Sequence, residues 1–188
     1  QSLKELVERN DLKIIYEDPR TSTPGQGLLL WVKQVYGEKA PAAWEQLAKK
    51  TVTVTKGWSE AYGMFLKGQS DLVLSYTTSP AYHRLAEHNL QYRAALFSEG
   101  HVRQVEVAAQ LKNAAQPKLA QQFMQFVLSD RFQNLIPEGN WMYPVTNVVL
   151  PKDFNQNETP AKTLSVDAKK LGTQRKVWVK EWLQAVSH

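Results

Sequence analysis

The chain of 188 residues contains no cysteine. Disulfides, thiolate nucleophiles and cysteine-based zinc sites are therefore excluded. Histidine is scarce as well. His83, His88, His101 and His188 are scattered, and neither an H-E-x-x-H pair nor another metal-binding spacing occurs, so no metal or resident cofactor is expected. No apolar run approaches the roughly 18 residues that would span a bilayer, and no signal peptide opens the chain. The first residues are QSLKELVE, without an initiator Met, as expected of a processed or truncated piece, so the lack of a targeting segment says nothing about compartment. The G-x-x-x-x-G-K and G-x-S-x-G patterns are missing. Dense basic tracts are missing too. The net charge is +5, but no basic cluster exceeds a pair, as at Lys49-Lys50 and Lys169-Lys170. These read as solvated helix surface, and no nucleic-acid partner is expected.

What remains is ordinary globular material, with 43% hydrophobic and 22% charged residues, enough for one sizeable domain or two small ones. Ser2 and Glu5 fit a capping box before a short helix. KIIYE (13–17) is a strand. In DPRTSTPG, Thr23 is placed to cap and Pro24 suits the first turn of a helix that Gly37 ends. Residues 41–50 form another helix, with Trp44, Leu47 and Ala48 on one face. TVTVT (51–55) alternates as a strand should. A helix capped by Ser59 runs to Gly68, and DLVLS (71–75) is the next strand. Strand, helix and strand in so few residues make a βαβ unit with a parallel pair. Ser79-Pro80 opens a helix. Strands are expected over 92–97 and 102–109. A helix over 117–128 aligns Leu119, Phe123, Phe126 and Val127, and 131–136 continues it after a break. PEGNWMYPVTN is irregular, and 153–160 is a polar loop. Ser165 or Asp167 starts a last helix with Leu171, Trp178, Trp182 and Val186 along one stripe. The class is α/β.

Ligands of open parallel sheets bind outside the carboxyl ends of the strands. Three loops leave strand ends there: DPRTSTPG, TKGW and SYTTSPAY. The first sets Thr21, Ser22 and Thr23 at a helix N-terminus, where main-chain N–H groups favour an anion, although a capping role alone would also explain them. The other two carry Trp58, Tyr76 and Tyr82. Each ring alone is as well explained by core packing, but three rings beside a hydroxyl-rich helix start suit a flat, cationic or heteroaromatic ligand. Trp141, in GNWMYP, is a fourth ring. Acid–base chemistry has weak candidates. Asp71 lies at the wrong end of its strand, Glu99 stands alone, and Ser75 or Ser79 with His83 lacks an evident orienting carboxylate.

Over DPRTSTPGQGLLLW, TVTVTKGWSEAYGMFLKGQSDLVLSYTTSPAYH and FSEGH…PEGNWMYPV the sequence resembles the bacterial periplasmic thiamine-binding family, the substrate-binding subunits of ABC importers for thiamine and its phosphates. The resemblance runs over nearly all of the chain. It implies the type II periplasmic binding fold, two α/β lobes with ligand between them and a mixed, mostly parallel sheet flanked by helices. Residues 1–188 then correspond to the carboxy-terminal lobe region. The amino-terminal lobe is absent, and 111–188 belong partly with it. The resemblance also implies that Trp58 and Tyr82 sandwich thiamine and that Ser22 meets the phosphate end of thiamine monophosphate or diphosphate. Tyr76 would line the cleft and Trp141 stand at its mouth. Location in the periplasm, membrane permease subunits as partners, no enzymatic activity and self-association through uncovered surface follow as expectations. The alternatives are a relative that binds ferric ion, which the six-residue spacing of Tyr76 and Tyr82 counts against, or one that binds a polyamine, and an enzyme acting on thiamine phosphates.

Overall fold

A computed structural model of the chain describes residues 1–154 and 159–187. His188 and part of the predicted polar loop over 153–160 lie outside them. Contacts divide the chain into two units, one of residues 1–75, 95–104 and 160–188, the other of 76–94 and 105–159.

The first unit is built on three parallel strands, β1 (Ile14–Glu17), β2 (Thr51–Thr55) and β3 (Leu72–Val73), in the order β2-β1-β3. The expected βαβ unit is present, but β2 and β3 do not pair with each other. Each pairs with β1, which lies between them. DLVLS contributes only two residues to the sheet. Right-handed crossovers that run in opposite directions along a sheet put their helices on opposite faces. Accordingly α2 (Thr23–Tyr36) and α3 (Ala40–Ala48), which connect β1 to β2, pack with Ile14 and Tyr16 on one face. They are joined there by the last helix, α9 (Ala168–Val186). The helix α4 (Trp58–Leu66), which connects β2 to β3, buries Ala61 and Tyr62 outside that cluster. A register shift after Ile14 places Val52 in a bulge of β2, which breaks the alternation that TVTVT suggests.

The main core gathers Trp44, Leu47, Trp178 and Trp182 about Tyr16. The Trp182 indole N–H donates to the Tyr16 hydroxyl at 3.1 Å, so these two rings meet with their polar atoms paired. Lys33 reaches Glu181 at 2.7 Å, linking α2 to α9. Asp167 caps α9, accepting from the N–H groups of Lys169 and Lys170. The capping box of α1 (Leu3–Glu8) forms in part: Ser2 Oγ accepts from Glu5 N–H at 2.9 Å. Lys50 corrects the reading of the Lys49-Lys50 pair as surface. It is buried, and its ammonium donates to the carbonyls of Leu6 and Val7, each at 2.8 Å, and of Arg9, closing the end of α1. Asp71 and Glu99 are structural anchors. Asp71 accepts from Lys13 N–H at 2.7 Å, and Glu99 accepts from the N–H groups of Leu3 and Lys4, both at 3.1 Å.

Two cap assignments change. Ser22, not Thr23, is the N-cap of α2. Trp58 begins α4 after an N-cap at Gly57, so Ser59 lies inside the helix. The strands expected over 92–97 and 102–109 are also corrected. Among the described residues only β4 (His101–Val102) is paired there, with β5 (Thr163–Leu164), a short parallel partner the sequence reading missed. Alternation marks a strand only where a neighbour takes up its hydrogen bonds, and Val105 and Val107 lie exposed.

The second unit holds α5 (Ser79–Ala86), α6 (Pro117–Val127), α7 (Asp130–Gln133) and α8 (Ile136–Gly139). Buried Gln133 ties it together. Its amide donates to Val127 O at 2.7 Å and accepts from Val145 N–H at 2.8 Å. The helix α6 forms as its periodicity predicts, yet buries no residue, and its Leu119, Phe123 and Phe126 are exposed. Among the described residues no helix is long and apolar enough to cross a membrane.

Glu17 ends β1 fully buried, and neither carboxyl oxygen has a hydrogen-bond partner among the described residues. Burial pushes its carboxyl up from the usual 4.5 to about 7. The folded chain therefore holds a proton between these two values that the unfolded chain gives up. Glu17's contribution to stability is fullest below pH 4.5 and is lost as pH rises through about 7. Glu17→Gln should gain stability relative to the parent as pH rises from about 5 to 8, reaching on the order of 2 kcal/mol in denaturant titrations. Parallel curves for the two proteins across that range would refute the burial argument.

Candidate functional site

The predicted residues fall into two groups, Ser22 and Trp58 in the first unit and Tyr76, Tyr82 and Trp141 in the second.

In the first unit the turn after β1 is tightly tied. Thr21 and Ser22 N–H groups donate to Asp18 O, at 3.1 and 3.0 Å, and Asp18 N–H donates to Thr55 O at 2.9 Å. The Thr21 hydroxyl donates to Lys56 O at 2.7 Å. Asp18 also accepts from the Arg20 guanidinium, at 2.5 Å for the closest contact, and this hydrogen bonding holds its carboxyl below the usual range. The first turn of α2 sits directly on the strand end. A Cβ at Gly25 would lie 2.3 Å from Glu17 O and 2.9 Å from Asp18 O, so only glycine fits. Ser22 is buried and does cap, but its hydroxyl accepts from Gly25 N–H at a long 3.5 Å. So loose a bond leaves the helix start able to favour an anion.

Trp58 is half-buried. Its indole N–H donates to Ser75 Oγ at 2.9 Å, and its ring stacks on Tyr62 at 4.7 Å and 19°. Because β1 lies between β2 and β3, this bond joins the start of α4, just past β2, to the segment just past β3, across the carboxyl end of the central strand. The TKGW loop and the start of SYTTSPAY thus meet as the parallel topology requires. Ser75, a candidate nucleophile by its place in the sequence, instead accepts from Trp58 through its hydroxyl.

In the second unit Tyr76 closes a tight turn into α5. Its N–H donates to Ser79 Oγ at 3.3 Å and its carbonyl accepts from Ser79 N–H at 3.0 Å. Tyr82 lies on α5 with 37% of its surface exposed, and meets Trp141 edge-on at 5.2 Å and 84°. Trp141 holds φ at +56°, a left-handed conformation that costs a bulky residue on the order of 1–3 kcal/mol. Strain of this kind persists where surrounding structure enforces it, and it collects at ligand clamps.

His83 carries the contact that the sequence reading missed. It is fully buried, and its Nδ1–H donates to Glu87 Oε2 at 2.6 Å. A carboxylate thus orients this imidazole after all, and the i, i+4 spacing was the signal for it. Burial keeps the ring from acting as a base toward a ligand in solvent. The Trp58–Tyr62 stack carries the same i, i+4 signal. Among the described residues no group of His, Asp and Glu is arranged to hold a metal.

The sequence pattern of the family described as bacterial extracellular solute-binding protein matches residues 1–138. The chain is 63% identical to the thiamine-binding periplasmic protein of Escherichia coli (strain K12) over 188 residues, all of this chain and 58% of that protein. It is 50% identical over 190 residues to the protein of the same name from Brucella abortus, covering all of this chain and 57% of that one. For Haemophilus influenzae the identity is 47% over 184 residues, 97% of this chain and 55% of that protein. A solved periplasmic thiamin binding protein superposes with a TM-score of 0.98 at 63% identity, over all of this chain and 59% of that one. The periplasmic binding protein P5PA, at 20% identity, shares the fold, with a TM-score of 0.72 over 99% of this chain and 60% of that one. The chain spans just under three-fifths of the length of these curated relatives. Its fold is that of the periplasmic binding proteins, and the chain belongs to the bacterial extracellular solute-binding protein family.

Proposed function

We propose that this chain is the carboxy-terminal lobe region, residues 1–188, of a solute-binding component of an ABC importer, working in the periplasm on thiamine and its mono- and diphosphate. The observation that carries the reading is identity of 47–63%, over all or nearly all of the chain, to proteins named for thiamine binding. The ligand contacts in this reading are Ser22, Trp58, Tyr76, Tyr82 and Trp141. Membrane permease subunits are the partners, and the protein is a carrier rather than an enzyme. The amino-terminal lobe lies outside the chain, and part of 111–188 packs with it. The uncovered apolar stripe of α6 supports that division.

The chemistry is consistent. Thiamine carries a fixed positive charge on a flat thiazolium ring, and the chain's net charge of +5 opposes it weakly, so attraction must be local. Indole and phenol faces supply it through their negative quadrupole, at roughly 0.5–2 kcal/mol per contact. The start of α2 suits a phosphate. A ring fixed before the ligand arrives loses little further freedom on binding. Trp58 is fixed by Ser75 and Tyr62, and Tyr82 is braced by Trp141.

Calorimetry on the full-length protein should give one thiamine per chain, and Tyr82→Ala should weaken binding at least ten-fold. Thiamine diphosphate should be bound without release of phosphate. Steady phosphate release would favour the enzyme reading instead.

The 188-residue chain alone should bind far more weakly. Two ring contacts supply about 1–4 kcal/mol, and a millimolar Kd already needs about 4. Thiamine binding by this piece should be no tighter than roughly millimolar, and light scattering should show its mass rising with concentration as Leu119, Phe123 and Phe126 find partners. Micromolar binding by a strictly monomeric piece would contradict both expectations.

A further inference from the structure

Behind Tyr82 stands a file of rings. Tyr92 stacks on His83 at 3.9 Å and 28°, His83 meets Tyr82 edge-on at 5.2 Å, and Tyr82 meets Trp141 edge-on at 5.2 Å. His83 is fully buried in the middle of the file. An apolar ring would fill that space and would need no hydrogen-bond partner. The imidazole instead has one, Glu87, one helical turn along α5, at 2.6 Å from Nδ1. An ionised carboxylate carries no proton to give, so Nδ1 must donate. That bond fixes the rotation of the imidazole about Cβ–Cγ, which a ring held by packing alone would lack. The chain past α5 completes the cage. His88 turns with φ at +52°, Asn89 N–H reaches back to His83 O at 2.8 Å, and Tyr92 comes over the ring.

We infer that the Glu87–His83 pair is a positioning element for Tyr82. The Glu87 carboxylate sets the plane of His83, and His83 sets the edge against which the Tyr82 ring rests. Neither residue touches the ligand. The inference rests on the reading of Tyr82 as a ligand contact. Because 40% of the Glu87 side chain is exposed, its truncation opens no cavity at the centre of the unit, although it leaves the buried Nδ1–H unpaired, and so Glu87, rather than buried His83, is the residue to change.

The test is calorimetric titration of the full-length protein with thiamine, comparing the parent with Glu87→Ala, Glu87→Gln and Tyr82→Ala. Glu87→Ala should weaken binding about five-fold, the size of one lost net hydrogen bond. Glu87→Gln, whose amide oxygen still accepts from Nδ1–H, should stay within about two-fold of the parent. A merely structural role for Glu87 would lower the melting temperature of Glu87→Ala and leave affinity unchanged. Glu87→Ala binding within two-fold of the parent, while Tyr82→Ala loses ten-fold or more, would overturn the inference alone. Absence of thiamine binding by the parent would overturn the functional reading beneath it.

Discussion

The first unit depends on the seating of α2 against the end of the central strand. The contact is close enough that the Cβ of any other residue at Gly25 would collide with Glu17 O. With α2 in place, the tied turn 18–22 follows, and β1 is held between β2 and β3 with its carboxyl end facing the same edge as theirs. The Trp58–Ser75 hydrogen bond is a consequence, since it joins loops that only this strand order brings together. Candidate ligand groups collect at such an edge because helix starts and strand ends there leave main-chain polar groups for a ligand to use.

Three buried polar side chains show different solutions to one problem. Lys50 donates hydrogen bonds to main-chain carbonyls at the end of α1 and is structural. His83 spends its Nδ1–H on Glu87 and gains a fixed ring plane. Among the described residues Glu17 has no hydrogen-bond partner on its carboxyl, and burial raises its proton affinity. A buried polar group left unpaired is costly. Glu17 ends β1 directly before the turn that carries Ser22, so this cost above neutral pH falls at that edge.

Much of this was legible in the sequence because helical periodicity is a local signal. The stripes of α3 and α9, the proline at the start of α2 and Gly37 at its end all have short-range causes. The choice between Ser22 and Thr23 as cap did not: both residues cap well, and Pro24 fits the first turn in either case. The strands expected over 92–97 and 102–109 failed because pairing depends on a remote partner, and the one found, Thr163–Leu164, is some sixty residues away from His101–Val102. That Trp58 reaches Ser75 was invisible for the same reason, since it follows from strand order. The His83–Glu87 spacing was in plain view, but it acquires meaning only once the ring is seen to be buried. The α6 stripe was correctly read as one apolar face, while its exposure belongs to the packing of the whole and not to the helix.

The central claim is that an indole fixed by its own N–H offers a π-face to a flat organic cation. It is tested most directly by following tryptophan fluorescence of the full-length protein during titration with thiamine, comparing the parent with Trp58→Ala and Ser75→Ala. The account predicts saturable quenching in the parent, loss of most of the signal with at least ten-fold weaker binding in Trp58→Ala, and a smaller, few-fold loss in Ser75→Ala, where the ring remains but its anchor is gone. Equal affinity and equal quenching in all three proteins would contradict it.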